Sequence, residues 1–499
     1  VVATRSEARS DSRAKVFDRI VGRAVNTLIL RPWFDNAALR LLVRWYFPLS
    51  RGWAAALAAE GDATRFVASV PVGRFTGRLV PRALETVEAR RAALREVEER
   101  WEEAFFGSGP ADGSLEQARL RASFALMQTR TAFAPMHLEQ PLPAVAFAIE
   151  SVEAVRQRHL RRLLSRTTAF QPERAGEPVE ASRGFLTRRG IEGWVRFPAP
   201  TAAGGPLAWA RVVTPRADRA RLPSMVFAHG IGMEPEMWGE PREMCPGLLP
   251  SGVRMIRPEA PWHGRRRLPG YYGGEPILAR GPGGLLDFLH THVIELGQWV
   301  AWARATRGGP VAVGGVSLGA LTAQLTGCAA HDWPEEMRPD ALFLVAPSRL
   351  IAEVAFEGSL TRKLGLPRAV LAAGWTRADV EAWLPLLEPQ RPPALPPQRI
   401  VVVLGEADNV TLTAGGEALI RHWQIPEENV FRCPAGHFST SLGLSRDSSP
   451  LRRLRAILDE AAGGPHRSAA GPKAKAGWRE AGSASAGRLL SRMRLGGRV

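Results

Sequence analysis

Two textures of hydrophobic patterning divide the chain near residue 170. From Leu84 to Phe105, apolar side chains recur at Leu84, Val87, Leu94, Val97, Trp101 and Phe105 among Glu and Arg. Spacings of three, four or seven put them on one face of a helix. Leu115–Phe133 and Ala144–Leu164 predict further helices. Between Phe17 and Leu49 apolar residues alternate irregularly with Arg, giving a basic amphipathic segment that contains Trp33, Phe34, Trp45, Tyr46 and Phe47. Residues 1–170 are therefore predicted to be a helical N-terminal region. The polar, Pro-containing stretch Gln171–Ser182 predicts a linker over residues 171–183.

Beyond the linker the period changes. Short β-rich runs fall at Gly193–Phe197, Ala208–Val213, Ser224–Ala228, Val253–Arg257, Val311–Val316, Ala341–Val345, Ile400–Leu404 and Asn429–Arg432. Helical patterns at Leu285–Arg304, Leu318–Ala330 and Gly416–Trp423 lie between the later runs, and Leu451–Ala461 follows the last. Such alternation predicts an α/β fold with a mostly parallel central sheet covered on both faces. Pro347–Gln398 is too long for an ordinary connection and holds helical pieces, so it predicts an inserted helical cap over about 347–398. The cap closes on a stiff run at Pro389, Pro392, Pro393, Pro396 and Pro397. The Gly/Ala/Ser/Arg-rich tail over 463–499 predicts disorder.

Composition adjusts this picture little. A 45% hydrophobic and 23% charged chain of 499 residues excludes wholesale disorder. The net charge of +17 comes almost wholly from arginine, since Lys15, Lys363, Lys473 and Lys475 are the only lysines. It is also unevenly spread: residues 200–465 carry 27 Lys+Arg against 26 Asp+Glu, leaving +9 on residues 1–199 and +7 on 466–499. A nearly neutral strand-and-helix part argues against a polyanionic partner, and no nucleic acid is expected. Three scattered cysteines (Cys245, Cys328, Cys433) suggest neither disulfide nor zinc framework, and with no secretory signal pattern they point to a cytoplasmic setting. The long uncharged stretch Gly308–Ala330 is broken by glycines, Ser317, Thr322, Gln324 and Thr326, and so is a poor bilayer span.

The chemistry centres on Gly315-Val316-Ser317-Leu318-Gly319, which follows an apolar strand and opens a helix. A tight strand-to-helix turn needs small neighbours, and it would expose the Ser317 hydroxyl at the sheet end. Its context is specific. Ser224–Ala228 ends in His229-Gly230-Ile231-Gly232; Ile400–Leu404 is followed by Gly405-Glu406-Ala407-Asp408; Asn429–Arg432 leads into Pro434-Ala435-Gly436-His437. Chain order is thus Ser317, then Asp408, then His437.

On these motifs the region from about Gly184 to Ala462 resembles the α/β-hydrolase superfamily of serine hydrolases. A looser similarity, to the group of α/β-hydrolase-domain-containing protein 18, rests on Trp262-His263-Gly264-Arg265-Arg266-Arg267, Tyr271-Tyr272-Gly273 and the upstream Tyr46-Phe47…Gly52-Trp53. The superfamily resemblance implies an α/β-hydrolase domain over 184–462. It further implies Ser317 as nucleophile, His437 as general base and then acid, and Asp408 orienting the imidazole. The backbone N–H groups of Ile231 and Leu318 would hold the oxyanion. Glu406 competes with Asp408, which lies farther into the turn. The expected activity is cleavage of an ester or related acyl bond in a small-molecule or lipid-like acyl substrate. Acyl transfer with the same triad, or a membrane- or protein-binding scaffold, are the alternatives.

Other polar residues have plainer readings. His229 is expected to shape the oxyanion loop, and His263 to be structural or to flank the site entrance. His290 and His292, two apart on a helix near Asp287 and Glu295, point in different directions, so no metal is assigned and no cofactor is expected. Arg265–Arg267 either bind an anionic group or form a solvated or ion-paired loop. Trp238, Trp262, Tyr271 and Tyr272 either line an apolar pocket or serve packing. Residues 17–49 either associate weakly with anionic membranes or pack their apolar face on the catalytic domain.

Overall fold

A computed structural model describes residues 32–463 apart from 110, 173–177, 217–220 and 235–244. Residues 17–31 of the basic segment, the middle of the linker, Trp238 and the tail beyond 463 lie outside the described residues. The ten strands are β1 (Glu180–Ala181), β2 (Phe185–Leu186), β3 (Ile191–Pro198), β4 (Leu207–Thr214), β5 (Leu222–Ala228), β6 (Arg254–Glu259), β7 (Gly308–Val316), β8 (Ala341–Val345), β9 (Ile400–Gly405) and β10 (Val430–Cys433). They form one sheet in the order β1-β3-β4-β6-β5-β7-β8-β9-β10, with β2 also on β3. β4 pairs antiparallel with β3 and β6, whereas β6, β5, β7, β8, β9 and β10 run parallel.

The parallel strands read as unbroken apolar runs because both of their faces are covered. Alternate side chains go to opposite faces. Val311, Val313, Leu342, Leu344, Ile400 and Val402 pack on one side with Trp299 and Val300 of helix Gly281–Arg307 and with Ala320 and Ala323 of helix Leu318–Ala329. Ala312, Phe343, Val345, Val401 and Val403 go to the other side, against Leu451, Leu454, Ile457 and Leu458 of helix Ser449–Gly463.

The cap lies between β8 and β9. Its short helices are Ile351–Glu357, Ser359–Leu364, Leu366–Ala372, Arg377–Glu381 and Leu384–Leu387. One apolar core joins this cap to the N-terminal helices. It takes in Phe47, Trp53 and Phe66 from the N-terminal region, Trp262, Tyr272 and Phe288 from the sheet-bearing part, and Val370, Trp375, Trp383 and Leu387 from the cap.

The N-terminal region is also pinned at its far end. Trp101, on helix Val80–Phe106, packs with Trp194 and Trp209 of β3 and β4. Beneath them Glu116 accepts from Trp101 Nε1 (2.7 Å) and from the buried Arg119 (3.0 Å). The helix expected from Ala144 starts only at Val152. The intervening backbone is committed elsewhere: Ala146 N–H donates to Glu275 (2.9 Å), Ala148 N–H to the Ala279 carbonyl (2.8 Å), and the Ala144 carbonyl accepts from Tyr272 (2.8 Å). Tertiary partners outcompete the helix there.

Candidate active site

β7 ends where the chain must reverse into helix Leu318–Ala329. Ser317 occupies that corner with φ 56° and ψ −118°, a conformation that costs a non-glycine residue of order 1–3 kcal/mol. Its own neighbours hold it there, since Ser317 N–H donates to the Val345 carbonyl of β8 at 3.0 Å. The flanking glycines are a matter of space. A Cβ on Gly315 would lie 2.7 Å from the Ala228 carbonyl oxygen, and one on Gly319 would collide with that same oxygen. The corner can therefore press against the end of β5.

Beyond β9 the chain turns at Asp408. One carboxylate oxygen accepts from the N–H groups of Val410 (2.8 Å) and Thr411 (3.0 Å). The other accepts from Thr411 Oγ1 (2.8 Å) and from His437 Nδ1 (2.7 Å). Burial alone would raise this carboxyl, but the His437 ring and the Thr411 donors hold it below the usual carboxylate range. With Nδ1–H committed to Asp408, His437 leaves Nε2 as its basic nitrogen. Glu406, the rival acid, is exposed and does not share this pairing. No hydrogen bond joins Ser317 Oγ to His437 among the described residues, and such contacts often tighten only when substrate binds.

Ser317 opens on an apolar cavity of about 160 Å³. Ile231 and Leu318 flank the serine, Thr411 and Val410 come from the acid turn, and cap residues such as Leu366, Val370, Leu384 and Leu387 complete the wall. Trp262, Tyr271 and Tyr272 do not line it; Trp262 and Tyr272 are buried packing residues.

The loop after β5 is held by two neutral histidines. His229 accepts from Ala260 N–H on Nε2 (3.2 Å) and donates from Nδ1 to the Gly230 carbonyl (2.9 Å). His263 accepts from Gly232 N–H (3.3 Å) and donates to the Pro261 carbonyl (2.9 Å). Burial pushes both rings down, His263 to about 3. Farther along the loop the buried Glu234 bonds Arg130 (2.8 Å) and Arg267 (3.2 Å), whose charges keep it ionised. Arg130 also donates to Tyr46 Oη (3.1 Å), which donates in turn to the Gly232 carbonyl (3.1 Å).

The arginine run is thus spent inside the protein. Arg266 pairs with Glu295 at 2.5 and 2.9 Å, and Arg265 lies over the ring of Trp101 at 4.2 Å. Asp287 is engaged by Arg158 (3.2 Å) and His159 (3.1 Å). His292 is buried against Phe288. Among the described residues no group of three or more His, Cys, Asp and Glu side chains is arranged to hold a metal ion.

Some contributors carry no motif signal in the sequence. Thr411 is marked only by its place three residues after Asp408, and Arg130 and Glu234 meet from segments far apart, with Tyr46 singled out only through the upstream aromatic motif.

The model of the alpha/beta hydrolase family matches residues 225–457, and this region is similar to that family. Solved structures similar to it include an acetyl xylan esterase from Paenibacillus sp. R4, at 14% identity, TM-score 0.41, covering 62% of this chain and 96% of that one. Acetyl xylan esterase 1 from Thermoanaerobacterium sp. JW/SL YS485 is 13% identical, with TM-score 0.42 and coverage of 63% and 95%. An esterase from Pyrobaculum calidifontis is 19% identical, with TM-score 0.36 and coverage of 63% and 94%. No curated protein sequence matches the chain. Among the described residues no helix is long and apolar enough to cross a membrane.

Proposed function

We propose that the protein is a serine hydrolase that cleaves an ester or related acyl bond, with Ser317, His437 and Asp408 as its triad. The observation that carries this reading is Ser317, forced to positive φ at the end of β7 and opening on an apolar cavity. The Asp408–His437 pair supports it from the other side. Ser317 Oγ attacks the acyl carbonyl while His437 Nε2 takes its proton, then returns it to the departing alcohol. Asp408 holds the imidazole tautomer. The N–H groups of Ile231 and Leu318 receive the developing oxyanion, each worth about 2.7–4 kcal/mol in the transition state. Water, deprotonated by His437, releases the acid from the acyl-enzyme.

The cavity walls suit an uncharged acyl chain. A dry cavity of similar size accepts a benzene-sized group, which corresponds to an acyl chain of about four to six carbons. A fluorophosphonate should label wild type and fail to label Ser317→Ala. Equal labelling of both would sink the nucleophile assignment. Across a series of aryl esters, kcat/KM should peak near that length and fall for longer chains.

A second reading concerns the surface. Helix Pro32–Leu41 buries Asp35 and Leu39 yet leaves Trp33 and Leu41 55% and 62% exposed, with Arg40 and Arg44 beside them. Exposed apolar side chains rimmed by arginines suit weak peripheral attachment to anionic lipid. Co-sedimentation with phosphatidylserine vesicles should fall in Trp33→Ser/Leu41→Ser. Unchanged sedimentation would remove the reading.

A further inference from the structure

We infer that Asp35 is a positioning residue for His437, reaching from the N-terminal region to cap the helix on which the histidine sits. The inference rests on the triad proposed above. His437 is the first residue of helix His437–Gly443, and the amides of a first helical turn have no partner within the helix. The N-cap position is Gly436, which has no side chain to serve them. Asp35 does so from 403 residues away. Its Oδ1 accepts from Phe438 N–H at 2.5 Å and from Ser439 N–H at 3.2 Å, and its Oδ2 accepts from the Ser439 hydroxyl. That hydroxyl accepts in turn from Gly436 N–H at 3.0 Å.

Gly436 records the same contact independently. Its φ of −90° is open to any residue, so its backbone does not require glycine. Space does: a Cβ there would lie 2.5 Å from Asp35 Cγ. The glycine before the histidine is thus the seat of the incoming carboxylate. A negative group among first-turn amides also complements the helix dipole. Asp408 fixes the imidazole through Nδ1, and Asp35 fixes the backbone that carries it. Neither task leaves Asp35 on the wall of the acyl cavity.

The test compares kcat, KM and fluorophosphonate inactivation in the full chain. Asp35→Ala should lower kcat and the inactivation rate about 10- to 100-fold, because misplacement of a catalytic group by an ångström costs on that order, while KM stays within about twofold. Asp35→Asn keeps an acceptor for the two amides and should recover most of the rate. Gly436→Ala should reproduce the Asp35→Ala loss, and adding it to Asp35→Ala should cost little more. Wild-type kcat in Asp35→Ala, or a loss shared equally by kcat and KM, overturns the inference. Should Asp35→Ala not fold, full kcat in Gly436→Ala overturns it. Labelling that persists in Ser317→Ala strikes instead at the hydrolase reading and is scored separately.

Discussion

The two ends of the site are built by opposite means. The serine corner is built within the central sheet: β7, the helix after it, the end of β5 and the Val345 carbonyl of β8 hold Ser317. The histidine end is assembled from afar, with Asp408 from the turn after β9 and Asp35 from the N-terminal region. The loop after β5 is intermediate, pinned by nearby His263 and by the distant Tyr46 and Arg130. A corner built from sheet contacts forms whenever the sheet forms. A corner of long-range contacts needs the whole chain, so damage to the N-terminal helices should reach the chemistry at the histidine first.

The largest expected effect is at the serine end. Ser317→Ala should reduce kcat by about 10⁴-fold or more, measured on a preferred ester. Asp408→Asn should follow at about 10⁴-fold, because the amide permits the wrong imidazole tautomer. Glu406→Gln should stay within about twofold, and a large loss there would reverse the choice of acid. The contrast sharpens with glycine. Gly319→Ala presses on the Ala228 carbonyl and should cost about 1–3 kcal/mol of stability by chemical denaturation, a fault of the fold itself. Smaller again, Tyr46→Phe removes the hydrogen bond to Gly232 and should lower stability by about 0.5–1.5 kcal/mol by chemical denaturation, the worth of one hydrogen bond.

A further effect is on pH. Burial depresses the His263 ring to about 3, so the folded protein favours the neutral form. An unfolded histidine gains its proton near pH 6.5, so the stabilising contribution is full above that value and is lost as pH falls toward 3. Denaturation at pH 6.5 and pH 5 should differ by about 2 kcal/mol from this group. His263→Asn should flatten the dependence, and an unchanged slope would show that the ring does not carry it.

What could be read in the sequence follows the same division. The central strands were legible because burial on both faces writes runs such as Ile400-Val401-Val402-Val403-Leu404, and Gly315–Gly319 because the serine and its two flanking glycines stand together in the sequence. Asp408 and His437 were legible through order and their places beyond strands. Asp35 was not: nothing near it signals a partner, and Gly436 looks like any loop glycine until the carboxylate beside it is seen. The stretch before Val152 misled for the same reason, because alanine-rich composition favours helix while Glu275 and Ala279 claim its amides. For Arg265–Arg267 the sequence left anion binding and ion pairing open, and the structure shows their charges taken up by Glu234, Glu295 and a tryptophan cluster.

The Asp35 cap also sets a clock on biosynthesis. The carboxylate leaves the ribosome 403 residues before the amide it will bind. At about 5–20 residues per second, that is a wait of roughly 20–80 s. For the last part of it, once Val345 has been made, the serine corner can already exist while the histidine loop has not. A nascent chain can therefore hold the serine corner before it holds its proposed base, and the proposed hydrolysis waits for His437.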